Sequence, residues 1–275
     1  MIPRIDLHIH STYSDGIKTP AEILNEVREK NLAAFSITDH DNAGAYFEAR
    51  ELLKEGDPEL ITGVELSAGK GGEDLHILGY FFDPNSAFLA SELERFREIR
   101  NQRGALMLQE LRKLGIDIPL DMVIDIVGKS AIGRPHVANA MVQAGAVNNM
   151  DEAFIKYIGL EKPAYIPKAN LTPKDAIDLI HSAGGLAFLA HPRIAGASKY
   201  IREFVGYGLD GIEIYHPYHF STHIKAYSKL TEKLLILGCG GSDYHGREGK
   251  YGAIGSQPAP YDLLSAMKTK VKIKD

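Results

Sequence analysis

Two histidines stand two residues apart in Asp6-Leu7-His8-Ile9-His10. On an extended strand, residues i and i+2 share a face, so both imidazoles can reach one metal ion. Asp15 follows within Ser11-Thr12-Tyr13-Ser14-Asp15-Gly16. The same residue types recur where short apolar runs end or turn: Thr38-Asp39-His40-Asp41, Gly63-Val64-Glu65, Leu75-His76-Ile77-Leu78, Ala190-His191-Pro192 and Ser242-Asp243-Tyr244-His245. Taken singly, each has a structural explanation: His76 as a satisfied core histidine, Glu65 as the partner of a lysine, Asp243 as a loop cap. Taken together, six histidines and three carboxylates in one small volume would be very costly to bury unpaired. Bound metal is the natural resolution, and histidine with carboxylate suits manganese, iron or zinc.

The elements that must bring them together are legible as alternating patterns. Candidate strands are Ile5–Ile9, Ala33–Ile37, Leu60–Leu66, Leu75–Phe81, Leu186–Ala190, Gly211–Tyr215 and Leu234–Cys239. Amphipathic stretches lie between most of them. Thr19-Pro20-Ala21-Glu22 and Thr172-Pro173-Lys174-Asp175 have the N-cap, first-turn proline and acidic residue of a helix start. Repeated strand–helix units predict a mostly parallel sheet, and about seven strands favour a barrel. Six of the candidate strands then deliver a His, Asp or Glu at or near their C-terminal ends, the face where such folds place their chemistry. The pattern breaks between 86 and 163, which reads as a helical insert. Two segments, 1–85 and 164–275, are expected to form the α/β domain, with the insert hanging over the active-site face.

Composition narrows the class. The 275 residues are 44% hydrophobic and carry a formal net charge of -5, which argues against a broad nucleic-acid surface. No run of 18 apolar residues suggests a membrane span, and the first residues lack a secretory signal. Cys239 is the single cysteine and reads as a buried core thiol. These features fit a cytoplasmic protein with no obligate protein partner. The charged stretch from Ser91 mixes both signs, as a solvated helix face does.

The ordered motifs, from Asp6-Leu7-His8-Ile9-His10-Ser11 through Thr38-Asp39-His40-Asp41 to Ser242-Asp243-Tyr244-His245, resemble the PHP (polymerase and histidinol phosphatase) superfamily over essentially the whole chain. Gly133-Arg134-Pro135-His136-Val137-Ala138 is similar to the insert of its nucleotide phosphatase-like subgroup. The resemblance implies a distorted (β/α)7 barrel with a helical insertion, and three divalent metals, manganese foremost. It implies His8, His10, Glu65 and Asp243 on one metal, Asp15, His40 and His245 on a second, and His76 and His191 on a third, with Glu65 bridging. Such a cluster carries excess positive charge and lowers the pKa of bound water, so a metal-bound hydroxide would attack phosphorus in line.

Asp6 and Asp39 flank ligand histidines and would either orient those rings or cap the following loops. Arg134, His136, Lys168, Arg193, His216 and His219 are candidates for holding the rest of a phosphorylated substrate, arginine for its fork geometry. The leading expectation is a phosphatase acting on a nucleoside 3′,5′-bisphosphate or a mononucleotide. The alternatives are an exoribonuclease trimming short RNA, a histidinol-phosphate phosphatase, and a non-catalytic metal-binding module.

Overall fold

The structure, a computed structural model, describes residues 3–167, 171–246, 252–257 and 259–274. Two compact units are present: Met1–Ala90 with Asn170–Asp275, and Ser91–Ala169.

The first unit is mixed α/β. A three-stranded parallel sheet joins β1 (Ile5–Ile9), β2 (Ala34–Ile37) and β3 (Glu59–Leu60), with helices α1 (Pro20–Glu29) and α2 (Gly44–Glu51) between them. A five-stranded sheet follows in the order β4 (Gly63–Lys70), β5 (Glu73–Tyr80), β6 (Leu186–Leu189), β7 (Gly211–Tyr215) and β8 (Leu237–Gly240). The sequence reading differs here in three ways. The run Leu60–Leu66 divides into β3 and the start of β4. Strand β5 is antiparallel to both β4 and β6, so the sheet is less parallel than expected. Gly71 and Gly72, at φ 61° and 84°, turn β4 straight back into β5, a two-residue hairpin in which both central residues take positive φ. His76 therefore sits mid-strand, opposite Ser67, and not at a C-terminal end. The last candidate strand begins late because its first residue, Leu234, still belongs to a helix, and Leu235 turns the chain in a left-handed conformation at φ 55°.

The two sheets are separate ladders, linked by isolated bridges at Ile9–Tyr244 and His40–Glu65. The backbone N–H of His10 donates to the Tyr244 carbonyl at 2.8 Å. Every residue of β1 is buried. Alternation puts Ile5 and Leu7 in an apolar core with Leu78, Leu186, Phe188 and Cys239, while Asp6, His8 and then His10 share the other face. Helix α1 begins as the sequence predicts: Thr19 Oγ1 accepts from the Glu22 N–H at 3.3 Å, and Glu22 Oε2 accepts from the Thr19 N–H at 2.8 Å. Cys239 is a free, buried thiol whose ionisation burial opposes.

The second unit is helical: α3 (Ala87–Lys113, begun in the first unit), α4 (Leu120–Val127), α5 (Arg134–Gln143), α6 (Met150–Ala153) and a π-helical turn at Phe154–Ile158. It has its own core of Met107, Leu111, Val123, Val137 and Met141. On α3, Arg95–Glu92 and Arg97–Glu94 are surface pairs, but Arg103 is buried and donates to the Ile166 carbonyl at 2.8 Å. In the first unit, α7 (Pro173–Ser182), α8 (Ile201–Gly206), α9 (Ser221–Leu234) and α10 (Tyr261–Lys274) complete the chain. Among the described residues, no helix is long and apolar enough to cross a membrane.

Candidate metal centre

The first unit draws all nine expected donors into one cluster. Glu65, at the start of β4, is its hub. Its Oε2 lies 3.5 Å from His8 Nε2, 3.2 Å from His10 Nε2 and 3.1 Å from His40 Nδ1. Its Oε1 lies 3.0 Å from His76 Nδ1 and 3.2 Å from His191 Nε2. Asp243, after β8, places Oδ1 3.3 Å from both His8 Nε2 and His10 Nε2. Asp15 places Oδ1 3.2 Å from His245 Nε2 and 3.9 Å from His40 Nε2.

Three sets of these residues have ligand atoms within 4.8 Å of one another: His10, Asp15, His40 and His245; His8, His10 and Asp243; His40, Glu65 and His76. His10 and His40 thus each stand in two sets, where the family resemblance implied one metal apiece.

The donors fit a cation better than they fit one another. His8 Nε2, His10 Nε2, His40 Nδ1 and Glu65 Oε2 are buried and have no hydrogen-bond partner among the described residues, despite separations near 3 Å. Each such atom costs about 1–3 kcal/mol if nothing satisfies it. Left to themselves, the groups share protons unevenly. Burial pushes Glu65 up, yet the imidazoles of His76, His40 and His8 outweigh it and hold the carboxyl well below its ordinary range. Asp243 and Asp15 are held low in the same way, chiefly by His8 and His245 respectively. Burial would lower His10, but Asp243 and Glu65 raise it to about 10. His40 goes the other way, well below its ordinary value, under burial and its neighbours His10 and His76. Divalent cations would satisfy all these lone pairs at once.

Two of the donors also stand on strained backbone. His191 has φ 27° and Asp243 φ 50°, a region that side-chain-bearing residues avoid at a cost of about 1–2 kcal/mol.

Around the donors lies a supporting layer. Asp39 accepts from the Ser11 N–H at 2.7 Å and from the hydroxyls of Ser11 and Ser14. Ser14 Oγ in turn lies 3.3 Å from His10 Nδ1, so Asp39 reaches a donor ring only through a hydroxyl. Asp6 accepts from the Ser242 N–H at 2.9 Å and the Gly255 N–H at 2.7 Å. Both aspartates tie loops, and their hydrogen bonds go to no imidazole. That bond belongs to Glu213, a fully buried residue of β7 whose Oε1 lies 3.0 Å from His8 Nδ1. Glu213 lies in the middle of its strand and not at a strand end, where most of the expected donors are found in the sequence. The available signal was a lone charge inside the apolar strand Gly211-Ile212-Glu213-Ile214-Tyr215.

The expected substrate residues are divided between the two units. His216 is fully buried, with Nε2 3.2 Å from Asp243 Oδ2, which places it within the donor cluster. His219 is buried and donates Nδ1–H to the Ile214 carbonyl at 2.9 Å. Arg193 is exposed, donates to the Tyr218 carbonyl, and stacks 4.6 Å from the Phe220 ring centroid. In the second unit, Arg134 lies over the rings of Phe154 and Tyr165, and His136 Nδ1 accepts from the Gly133 N–H at 3.0 Å. Lys168 lies outside the described residues.

Comparison with known proteins gives this cluster a context. The PHP domain family model matches residues 6–131. A 5′-3′ exoribonuclease of Haemophilus influenzae is 32% identical over 250 residues, spanning 89% of this chain and 91% of that protein. A 3′,5′-nucleoside bisphosphate phosphatase of Chromobacterium violaceum is 32% identical over 247 residues, spanning 88% and 87%. The crystal structure of a protein assigned as a metal-dependent phosphoesterase, from Bifidobacterium adolescentis, superposes with TM-score 0.87 at 27% identity, covering 98% of this chain and 96% of its own.

Proposed function

The chain belongs to the PHP domain family of metal-dependent phosphoesterases, and from that premise we propose that it removes a phosphate from a small nucleotide, a nucleoside 3′,5′-bisphosphate or a mononucleotide. One observation carries the reading most: the buried imidazoles of His8, His10 and His40 converge on the Glu65 carboxylate with ring and carboxylate atoms that have no hydrogen-bond partner among the described residues. We assign His8, His10, Asp15, His40, Glu65, His76, His191, Asp243 and His245 as the ligands of three divalent metals, with manganese foremost and iron or zinc as the alternatives. The three donor sets support that number. When bound, such metals supply Lewis acidity and offset the charge of the phosphate.

The protein's own groups do the rest. Glu65 and Asp243 each face several imidazoles and hold them in register. His216 steadies Asp243 through its second oxygen. Arg193, in the same unit and two residues beyond His191, offers an exposed guanidinium for a second phosphate or a base. We further propose that the two sheets are arcs of one distorted (β/α)7 barrel, supported by the bridges Ile9–Tyr244 and His40–Glu65.

A second reading, removal of nucleotides from a short RNA end, is favoured by similarity to the Haemophilus influenzae exoribonuclease. The deciding experiment is a release assay on a nucleoside 3′,5′-bisphosphate, AMP, histidinol phosphate and a 5′-phosphorylated oligoribonucleotide, with manganese and with chelator. Metal-dependent phosphate release from the bisphosphate or AMP alone is the expected result. Stepwise mononucleotide release from the oligomer would move the assignment to the exonuclease. Silence throughout, with metal bound, would overturn the nucleotide assignment.

A further inference from the structure

Glu213 is 0% exposed, and its two oxygens are divided between two parts of the donor cluster. Oε1 lies 3.0 Å from His8 Nδ1, and Oε2 accepts from the backbone N–H of His191 at 2.7 Å. The two histidines serve different neighbours. His8 Nε2 faces Asp243 Oδ1 and Glu65 Oε2, whereas His191 Nε2 faces Glu65 Oε1 and His76 Nδ1. A carboxylate on Nδ1 keeps the imidazole proton there, which leaves Nε2 to present its lone pair inward. The bond to the His191 N–H acts on backbone instead. It anchors a residue held at φ 27°, a conformation that neighbours must impose. The sequence supports this placement, because alternation along β7 turns Glu213 to the side opposite Ile212 and Ile214.

We propose that Glu213 is a positioning residue of the metal centre: a single side chain that fixes the His8 tautomer and seats the His191 backbone, so that the two donor groups load metal together. The proposal rests on the metal-dependent reading of the site and is independent of the substrate.

The test is Glu213→Gln in the full chain. Glutamine is isosteric, and its oxygen can still accept from the His191 N–H. Its NH₂ would then face His8 Nδ1 and require a lone pair there, moving the imidazole proton to Nε2, the atom meant for metal. Calorimetric titration of metal-stripped protein with manganese alone is expected to show affinity lower by about 10–100-fold and fewer tight equivalents. The stripped variant is expected to melt with the stripped wild type, and kcat to fall while KM stays unchanged. A variant that melts far lower when stripped, yet binds manganese and turns over as wild type does, would make Glu213 merely structural and overturn the proposal. Should the variant fail to fold, nitrogen NMR of the zinc-loaded wild type decides the matter. A proton on His8 Nδ1 with metal on Nε2 supports the proposal, and metal on Nδ1 overturns it. Wild-type protein that passes these tests but hydrolyses nothing in the release panel would sink the substrate assignment and leave the role of Glu213 standing.

Discussion

Asp243 is met by four imidazoles, His8, His10 and His245 on one oxygen and His216 on the other. Asp243→Asn removes the charge and keeps the shape. Phosphate release is expected to fall by more than about 100-fold, the upper end of what losing an outer partner costs. Retained circular dichroism and melting behaviour would show that the fold survives, and activity within a few-fold of wild type would remove Asp243 from the centre. At this scale the sequence was informative where chemistry forces residue type. His8 and His10 announce themselves by their i, i+2 spacing, and Asp243 and His245 repeat it. Glu213 and the inward role of His216 were not legible in the same way. Their partners, His8 and Asp243, are distant in the chain, and no local spacing encodes which histidine a buried glutamate meets. Asp6 and Asp39 stood open between ring-orienting and loop-tying roles, and only the position of the Ser11, Ser242 and Gly255 amides separates the two.

Elements hold these residues at close tolerances. A Cβ on Gly241 would lie 2.4 Å from the His8 backbone nitrogen and 2.8 Å from Asp6 Oδ1. Gly241→Ala must therefore part the end of β8 from β1, at about 1–3 kcal/mol for overpacking. The expected signature is a lower melting temperature together with a purified protein poor in metal; normal metal content would show that the strand ends tolerate separation. Thr19→Ala is the contrasting case. Loss of the α1 cap is expected to cost about 1 kcal/mol and to lower the melting temperature by roughly 2–4 °C, with phosphate release unchanged. The α1 cap was readable because its signal is local. The β4–β5 hairpin was equally local, in Lys70-Gly71-Gly72-Glu73, yet the alternation of strands and helices elsewhere suggested parallel pairing. Pairing direction is set by the turn, and two glycines at positive φ outweigh the surrounding pattern.

For the whole molecule, the separate cores of the two units predict a local response to chelation. Hydrogen exchange is expected to quicken along β1, β2 and β8 when metal is removed, while α4 and α5 keep their protection; uniform loosening would argue that metal holds both units together. The formal charge of -5, which three bound divalent metals would bring to about +1, leaves no broad basic surface for a long polyanion, whose binding by many phosphate contacts would be steeply salt-dependent. KM is expected not to fall with oligonucleotide length and to vary little with salt. A tight, strongly salt-sensitive complex with long RNA would contradict that. The discontinuous first unit and the bond from His10 to Tyr244 carry a consequence for biosynthesis. Asp243 emerges from the ribosome 235 residues after His8, and at about 5–20 residues per second the earliest donors wait many seconds for the last. A nascent or truncated chain holds no complete centre, so hydrolytic activity arises only once the distant ends of the first unit have met. Two fragments split within the helical unit would be natural halves of a complementation reporter.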